Sequence, residues 1–169
     1  MQAKAWYLIY TKVKQENVAL QNLENQGFDA YLPMTQQLKR SVAGHKTVQV
    51  PLFARYLFIQ LNLGKDDISK IRSTRGVIKL VEFGHVPAKV PDNLIEYIKQ
   101  MCQLTLQDDV FTKKFTPGVK VKIVGGVMSG CEAIFQRRTS QQRVVVLLDI
   151  IGRSSSLQIA QNDIDVIKE

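Results

Sequence analysis

Two histidines, two cysteines and a scatter of carboxylates are all that this chain offers to covalent or metal chemistry, and their spacing builds no reaction centre. His45 and His85 are isolated from each other and from other ligating groups, as solvated loop residues are. Cys102 and Cys131 have neither a CxxC spacing nor a histidine pair beside them, so the ligand count of a zinc site is not met. Asp66-Asp67 is a single acidic pair with no further carboxylates to complete a site for catalytic metal ions. Gly125-Gly126-x-x-Ser129-Gly130 lacks the Lys-Ser/Thr ending of a phosphate loop and reads as turns. No nucleophile elbow or dinucleotide fingerprint occurs. The expectation is a protein that is not an enzyme, with no catalytic residue, no metal and no cofactor.

Binding chemistry is better supplied. The formal charge is +8 and the pI near 9.6, a balance that favours a polyanionic partner because clustered Lys and Arg release counterions from phosphates. A merely solvated basic surface is the plain alternative. Residues 1–100 carry 14 Lys and Arg against 8 Asp and Glu, and residues 101–169 carry 9 against 7, so nucleic-acid contact belongs first to the N-terminal part. A composition of 45% hydrophobic and 22% charged residues is that of a folded globular chain. The opening MQAKAWYLIYTKVK has no signal-like apolar run, and no stretch approaches the roughly 20 apolar residues of a membrane span. A cytoplasmic monomer with reduced thiols and no membrane partner is expected.

The elements that would position these side chains follow from periodicity. Residues 5–10 (AWYLIY) suit a strand buried on both faces. Val18, Leu20 and Leu23 recur at near-helical spacing, with Gly27 placed to end that helix. Residues 28–32 read as a strand, 36–49 as a basic hairpin or extended loop carrying Lys39, Arg40, His45 and Lys46, and 51–61 as the strongest strand. A short helix over 65–73, a strand over 77–83, a turn at Gly84 and a helix over 91–104 complete a βαββαβ-like unit, with the helices expected on one side of a four-stranded sheet.

Residues 105–116 (TLQDDVFTKKFT) look like a linker between a domain at 1–104 and a second unit at 117–169. In that unit Val119, Val121 and Ile123 alternate with Lys120 and Lys122, and 143–151 is a β-branched run. Several short strands with glycine turns predict a small β-barrel, since closure removes exposed edges. The fold class is therefore α+β: an α/β sandwich followed by a small barrel.

Three groups of residues resemble the NusG superfamily of transcription elongation factors across essentially the whole chain. Trp6-Tyr7 opening the first strand, with Pro51-Leu52-Phe53-x-x-Tyr56-Leu57-Phe58 after the basic hairpin, is similar to the family's N-terminal domain. So is Ser73-Thr74-Arg75-Gly76-Val77 followed by Val81-Glu82-Phe83-Gly84 and Val90-Pro91. Pro117-Gly118-Val119-Lys120-Val121 through Gly130 resembles the KOW motif that opens the family's SH3-like C-terminal barrel. The motifs Pro-Leu-Phe-x-x-Tyr-Leu-Phe and Val-x-Phe-Gly look more like the specialised RfaH type than the general factor. The resemblance implies binding to the clamp region of RNA polymerase, suppression of pausing and termination at specific operons, contact with the exposed non-template DNA strand, and coupling to ribosomal protein S10 through the KOW domain. In the RfaH type that domain also exists as a helical hairpin docked over the polymerase site. The β-branched 143–151, with Gly152 and Ser154-Ser155-Ser156 after it, favours the barrel here. So does Val50, which stands where the RfaH pattern has an acidic partner for the arginine matching Arg143.

Carried over by position, Tyr56, Phe83, Ile95, Phe53 and Leu52 match the polymerase-binding patch; the plain alternative for each is the core. Lys12, Asn22, Asn25, Gln26, Thr74 and Arg75 match the non-template-strand contacts; the plain alternative is a solvated helix and loop. The RfaH pattern has His and Arg in place of Asn22 and Asn25, and a His-Thr-Thr run in place of Asp67-Ile68-Ser69. Val145, Leu147, Leu148, Ile150 and Ile151 are the candidates for a ribosomal-protein or interdomain contact. The rival from another class is an RNA-binding or ribosome-associated KOW module, which has no need of the aromatic set in the N-terminal half.

Overall fold

Residues 5–11 combine aliphatic and aromatic side chains on both parities. In the computed structural model, which describes residues 3–107 and 129–167, they form the central strand β1 (Ala5–Thr11). The helix α1 (Glu16–Asn25) follows and buries Ala19 and Leu23 one turn apart; Gly27, at φ +87°, ends it as expected. Next come β2 (Asp29–Tyr31), β3 (Met34–Ser41), β4 (Gly44–Pro51) and β5 (Tyr56–Leu61). The helix α2 (Ile68–Arg72) is capped by the Asp67 carboxylate, which accepts from the Ser69 N–H. Four short strands then follow, β6 (Val77–Leu80), β7 (Glu82–Phe83), β8 (Val86–Pro87) and β9 (Lys89–Val90), before α3 (Asp92–Gln107).

The main sheet runs β2-β5-β1-β6, and β9 pairs with the opening of β1. All its pairings are antiparallel, with Tyr10 opposite both Tyr56 and Lys79. β3–β4 and β7–β8 are separate two-stranded ribbons.

Side chains of one parity on β1 and β5 pack with α1 and α2: Tyr7, Ile9, Leu57 and Ile59 join Ala19, Leu23 and Ile71. Those of the other parity, Leu8 and Phe58, join Leu94, Ile95 and Ile98 of α3. The helices therefore lie on both sides of the sheet, not on one, because both faces of β1 and β5 are apolar and each must be covered. The expected strand over 51–61 is interrupted at residues 52–55, where the chain turns from β4 into β5 with Arg55 at φ +70°. The expected strand over 77–83 breaks at Val81.

The largest correction lies in the C-terminal unit. Where a barrel strand was expected over 143–151, the chain forms α4 (Ser129–Gln136) and α5 (Ser140–Ile167), the helical alternative. Leu147, Ile151 and Ser155, spaced four apart, are buried on one stripe of α5, while Val145 faces solvent. Ile134, Leu147 and Ile151 join the same apolar cluster as β1, β5 and α3. Burying each such side chain is worth about 1.5–3 kcal/mol, whereas a β-branched residue in a helix costs only about 0.5 kcal/mol. Tertiary burial thus overrides local preference. α3 runs on to Gln107, so the linker expected from 105 begins as helix; residues 108–116 and the KOW-like segment 117–128 lie outside the described residues.

Candidate functional site

The polymerase-patch candidates converge on the face of the sheet shared by α3 and the C-terminal helices. Leu52, Phe53 and Ile95 are fully buried there, and Tyr56 and Phe83 are half-buried against the same cluster. Phe53 meets Phe58 edge-on at 6.1 Å, and Phe58 stacks on Tyr31 at 6.3 Å. Phe83 is presented by the β7–β8 ribbon, and Gly152 of α5 lies against its ring: a Cβ placed at 152 would meet Phe83 at 3.5 Å. Of the C-terminal candidates, Leu147 and Ile151 are buried and Leu148 and Ile150 half-buried against the cluster. Val145, 68% exposed, takes no part.

One polar contact pins this covering. The half-buried Arg143 guanidinium donates through Nε to the Leu52 carbonyl at 2.7 Å and through Nη1 to the Arg137 carbonyl at 3.2 Å. Among the described residues no carboxylate pairs with it. Burial lowers its pKa, a tendency opposed by the neighbouring Cys102. Burial in turn pushes the Cys102 thiol up, with hydrogen bonding to Tyr31 pulling it the other way. The match of Arg143 was visible in the sequence, but its carbonyl partner was not, since main-chain acceptors leave no trace in residue type. Ile134 was missed altogether; its signal is the short apolar stripe of a helix too brief to stand out.

The strand-contact candidates gather at the other edge. Gln26 donates from Nε2 to Thr74 Oγ1 at 2.9 Å, and Thr74 donates to the Lys70 carbonyl at 2.7 Å. Thr74 is buried, so it holds the 73–76 loop against α1 instead of presenting its hydroxyl. Asn22 donates to the Val18 carbonyl at 2.7 Å, which leaves its side-chain oxygen free of that bond. Asn25, Lys12 and Arg75 are exposed. Gly76, at φ +90°, allows the loop to approach α1: a Cβ there would sit 2.8 Å from the Ala19 nitrogen. That approach lets Lys12 donate its N–H to the Gly76 carbonyl at 2.8 Å, placing Lys12 beside Arg75. The structure thus brings Lys12, Gln26 and Arg75 together around the loop that the buried Thr74 holds.

The β3–β4 ribbon stands apart and is mostly exposed, with Lys39 opposite Lys46 and Arg40 opposite His45. Asp67, in the Asp67-Ile68-Ser69 run, is a helix cap whose carboxyl is held below its ordinary pKa by hydrogen bonds from Ser69. Among the described residues no group of His, Cys, Asp and Glu is arranged to hold a metal ion, and no helix is long and apolar enough to cross a membrane.

Comparison with known proteins bears on the same region. The family model described as "NusG: Transcription termination factor nusG" matches residues 4–99. A Thermus thermophilus protein named "Transcription termination/antitermination protein NusG" is 24% identical over 172 residues, covering 91% of this chain and 94% of its own length. A solved structure described as "Domain interaction in Thermotoga maritima NusG" aligns with a TM-score of 0.44 at 20% identity, over 60% of this chain and 58% of that one.

Proposed function

The chain belongs to the NusG family, and from that premise we propose that it binds the clamp region of RNA polymerase and suppresses pausing and termination at specific operons. The observation that carries this reading is the convergence of Leu52, Phe53, Tyr56, Phe83 and Ile95 on one apolar face that the helices α4 and α5 cover. A grip on another protein needs such a face, since buried apolar area holds a partner more firmly than exposed charge. The role is one of binding and not of catalysis.

The covering favours the recruited, RfaH-type mode over a constitutive one. A patch under α4 and α5 is not free to engage polymerase, so binding waits for release of the hairpin. The trigger in this reading is the exposed non-template strand, met by Lys12, Asn22, Asn25, Gln26 and Arg75, with Thr74 positioning the loop. Released, residues 143–151 lose the burial that holds them helical and revert to the strand their composition prefers. The KOW barrel so formed offers that strand to ribosomal protein S10.

The test is binding of the full chain to a bacterial elongation complex with and without an accessible non-template strand, at two salt concentrations. Strand-dependent binding, lost in a folded Tyr56→Ala/Phe83→Ala variant, is expected. Equal binding without the strand points to a constitutive factor, and an unaffected double variant removes the patch from the interface. No binding in any arm leaves an RNA-binding KOW module as the better reading.

A further inference from the structure

Arg55 occupies a conformation that L side chains seldom adopt. Its φ is +70°, and Lys14 is the one other non-glycine residue with positive φ among the described residues. The backbone reasons for this turn are clear: the Arg55 N–H donates to the buried Glu16 carboxylate at 2.9 Å, and the Arg55 carbonyl accepts from Thr11 N–H at 2.9 Å. Glycine or asparagine would make both bonds with less strain. The arginine side chain therefore needs a reason of its own. Its Nε donates to the Thr11 carbonyl at 3.2 Å, and its guanidinium lies over the Tyr10 ring at 4.3 Å from the centroid. Contacts of this kind offset left-handed strain without a large surplus, so stability alone does not account for the residue.

The surroundings give it a direction. Tyr56, Tyr10 and Lys79 are direct cross-strand partners and so share one face of the sheet; the two tyrosine rings lie 5.1 Å apart. Lys12, beside Arg75, follows Thr11 in the chain. Among the described residues no carboxylate pairs with Arg55, Lys12, Lys79 or Arg75: Glu16 is taken by the Arg55 N–H, and Glu82 pairs with Arg72 at 3.0 Å. An arginine plane backed by an aromatic ring and flanked by unpaired cations is the arrangement that receives a base on the guanidinium and its phosphates on the charges.

We propose that Arg55, stacked on Tyr10 and flanked by Lys79, is a binding platform for single-stranded DNA that extends the Lys12–Arg75 surface toward the aromatic patch. The proposal rests on the strand-binding reading above and adds to it the place where a base is held. It joins the strand contacts to the face that holds polymerase, so that a strand seated on Arg55 lies beside Tyr56 at the margin of the covering hairpin.

The experiment is fluorescence anisotropy of the full chain with a labelled thymidine dodecamer, (dT)12, across a salt series. Arg55→Asn keeps a residue tolerant of positive φ, so the turn survives, and thermal melting checks that it has. Its affinity is expected to fall about tenfold, with the salt dependence reduced by roughly one phosphate contact. Arg55→Lys should recover the salt dependence without the full affinity, and Lys65→Gln, beyond the opposite end of β5, should match the parent chain. A folded Arg55→Asn variant with parental affinity and salt dependence overturns the platform. If the parent chain shows no salt-sensitive binding to (dT)12, the strand reading itself fails and the platform falls with it. Loss of polymerase binding by Arg55→Asn with unchanged (dT)12 affinity also overturns it, and moves Arg55 to the protein interface.

Discussion

The two faces of the central sheet each carry an apolar core, yet they are covered by segments of opposite character. On one face lie α1 and α2, short helices connected to the strands they cover by nearby chain, with Ala19, Leu23 and Ile71 completely buried. On the other, α3 leaves part of the surface to α5, whose residues 143–151 carry a β-branched run and arrive from beyond residue 128. The first cover is helical by its own periodicity and bound to its strands; the second is helical against the preference of its β-branched run, with its buried stripe packed on the sheet. In the proposed reading the sheet keeps one face closed and holds the other in reserve, and the difference lies in the covering segments and not in the strands.

The largest expected effect separates these covers directly. Leu147→Asp places a carboxylate in the apolar cluster one turn from Arg143, whose Nε and Nη1 are already committed to main-chain carbonyls, a cost of several kcal/mol that the hairpin avoids by leaving. Polymerase binding should rise by about tenfold or more as the competent state becomes populated, and far-ultraviolet circular dichroism of the full chain should lose helix. Leu23→Ala on the opposite face costs a comparable 2–5 kcal/mol or so, but as global stability: the melting temperature drops while polymerase binding by the folded fraction stays put. If both variants behave alike, the two faces are not different in kind.

The contrast also explains what was legible in the sequence. β1, α1, β5 and α3 have local pattern and tertiary demand in agreement, so periodicity found them, and residues matched by resemblance, such as Tyr56 and Phe83, fall on one face. Residues 143–151 are where local preference and burial disagree. Val144-Val145-Val146 and Ile150-Ile151 read as strand, and nothing within that window reveals that Leu52, Phe53 and Phe83 are waiting to bury Leu147 and Ile151. The placement of helices on both sides of the sheet was implicit in a first strand apolar on both parities. The Arg143–Leu52 contact and the αL turn at Arg55 were invisible for a different reason: each depends on main-chain groups, which every residue carries alike. Thr74 was matched by position, and its burial and its bonds to Gln26 and Lys70 make it a support for the loop.

A smaller effect should come from the pin that holds the second cover to the chain between β4 and β5. Arg143→Lys keeps the charge but loses the Nε donor, and with it the bond to the Leu52 carbonyl at 2.7 Å. A hydrogen bond from a charged donor is worth about 1.5–3 kcal/mol, so the open population should grow roughly tenfold or more. Hydrogen exchange at residues 52–58 measures it. Since the partner is a carbonyl and not a carboxylate, the effect should be nearly the same at low and high salt, whereas an ion pair would weaken as salt rises. A strongly salt-dependent difference would mean that the cover is held by charge after all.

The smallest change has the opposite sign. Gly152 lies within α5 and leaves room for the Phe83 ring at 3.5 Å from a Cβ that is not there. That distance is ordinary contact, so alanine fits without moving Phe83. Glycine in a helix interior costs about 1 kcal/mol relative to alanine, and in the strand state the comparison no longer favours helix. Gly152→Ala should therefore stabilise the docked hairpin by up to that amount, lowering polymerase binding by no more than about fivefold and slowing hydrogen exchange at 52–58. A bulkier Gly152→Leu has no such room and should push the ring aside, releasing the hairpin as Leu147→Asp does but less completely. Two substitutions at one position would then move the docking equilibrium in opposite directions. If both variants weaken docking, Gly152 is there for contact with Phe83 alone, and the poise of α5 has to come from its β-branched run.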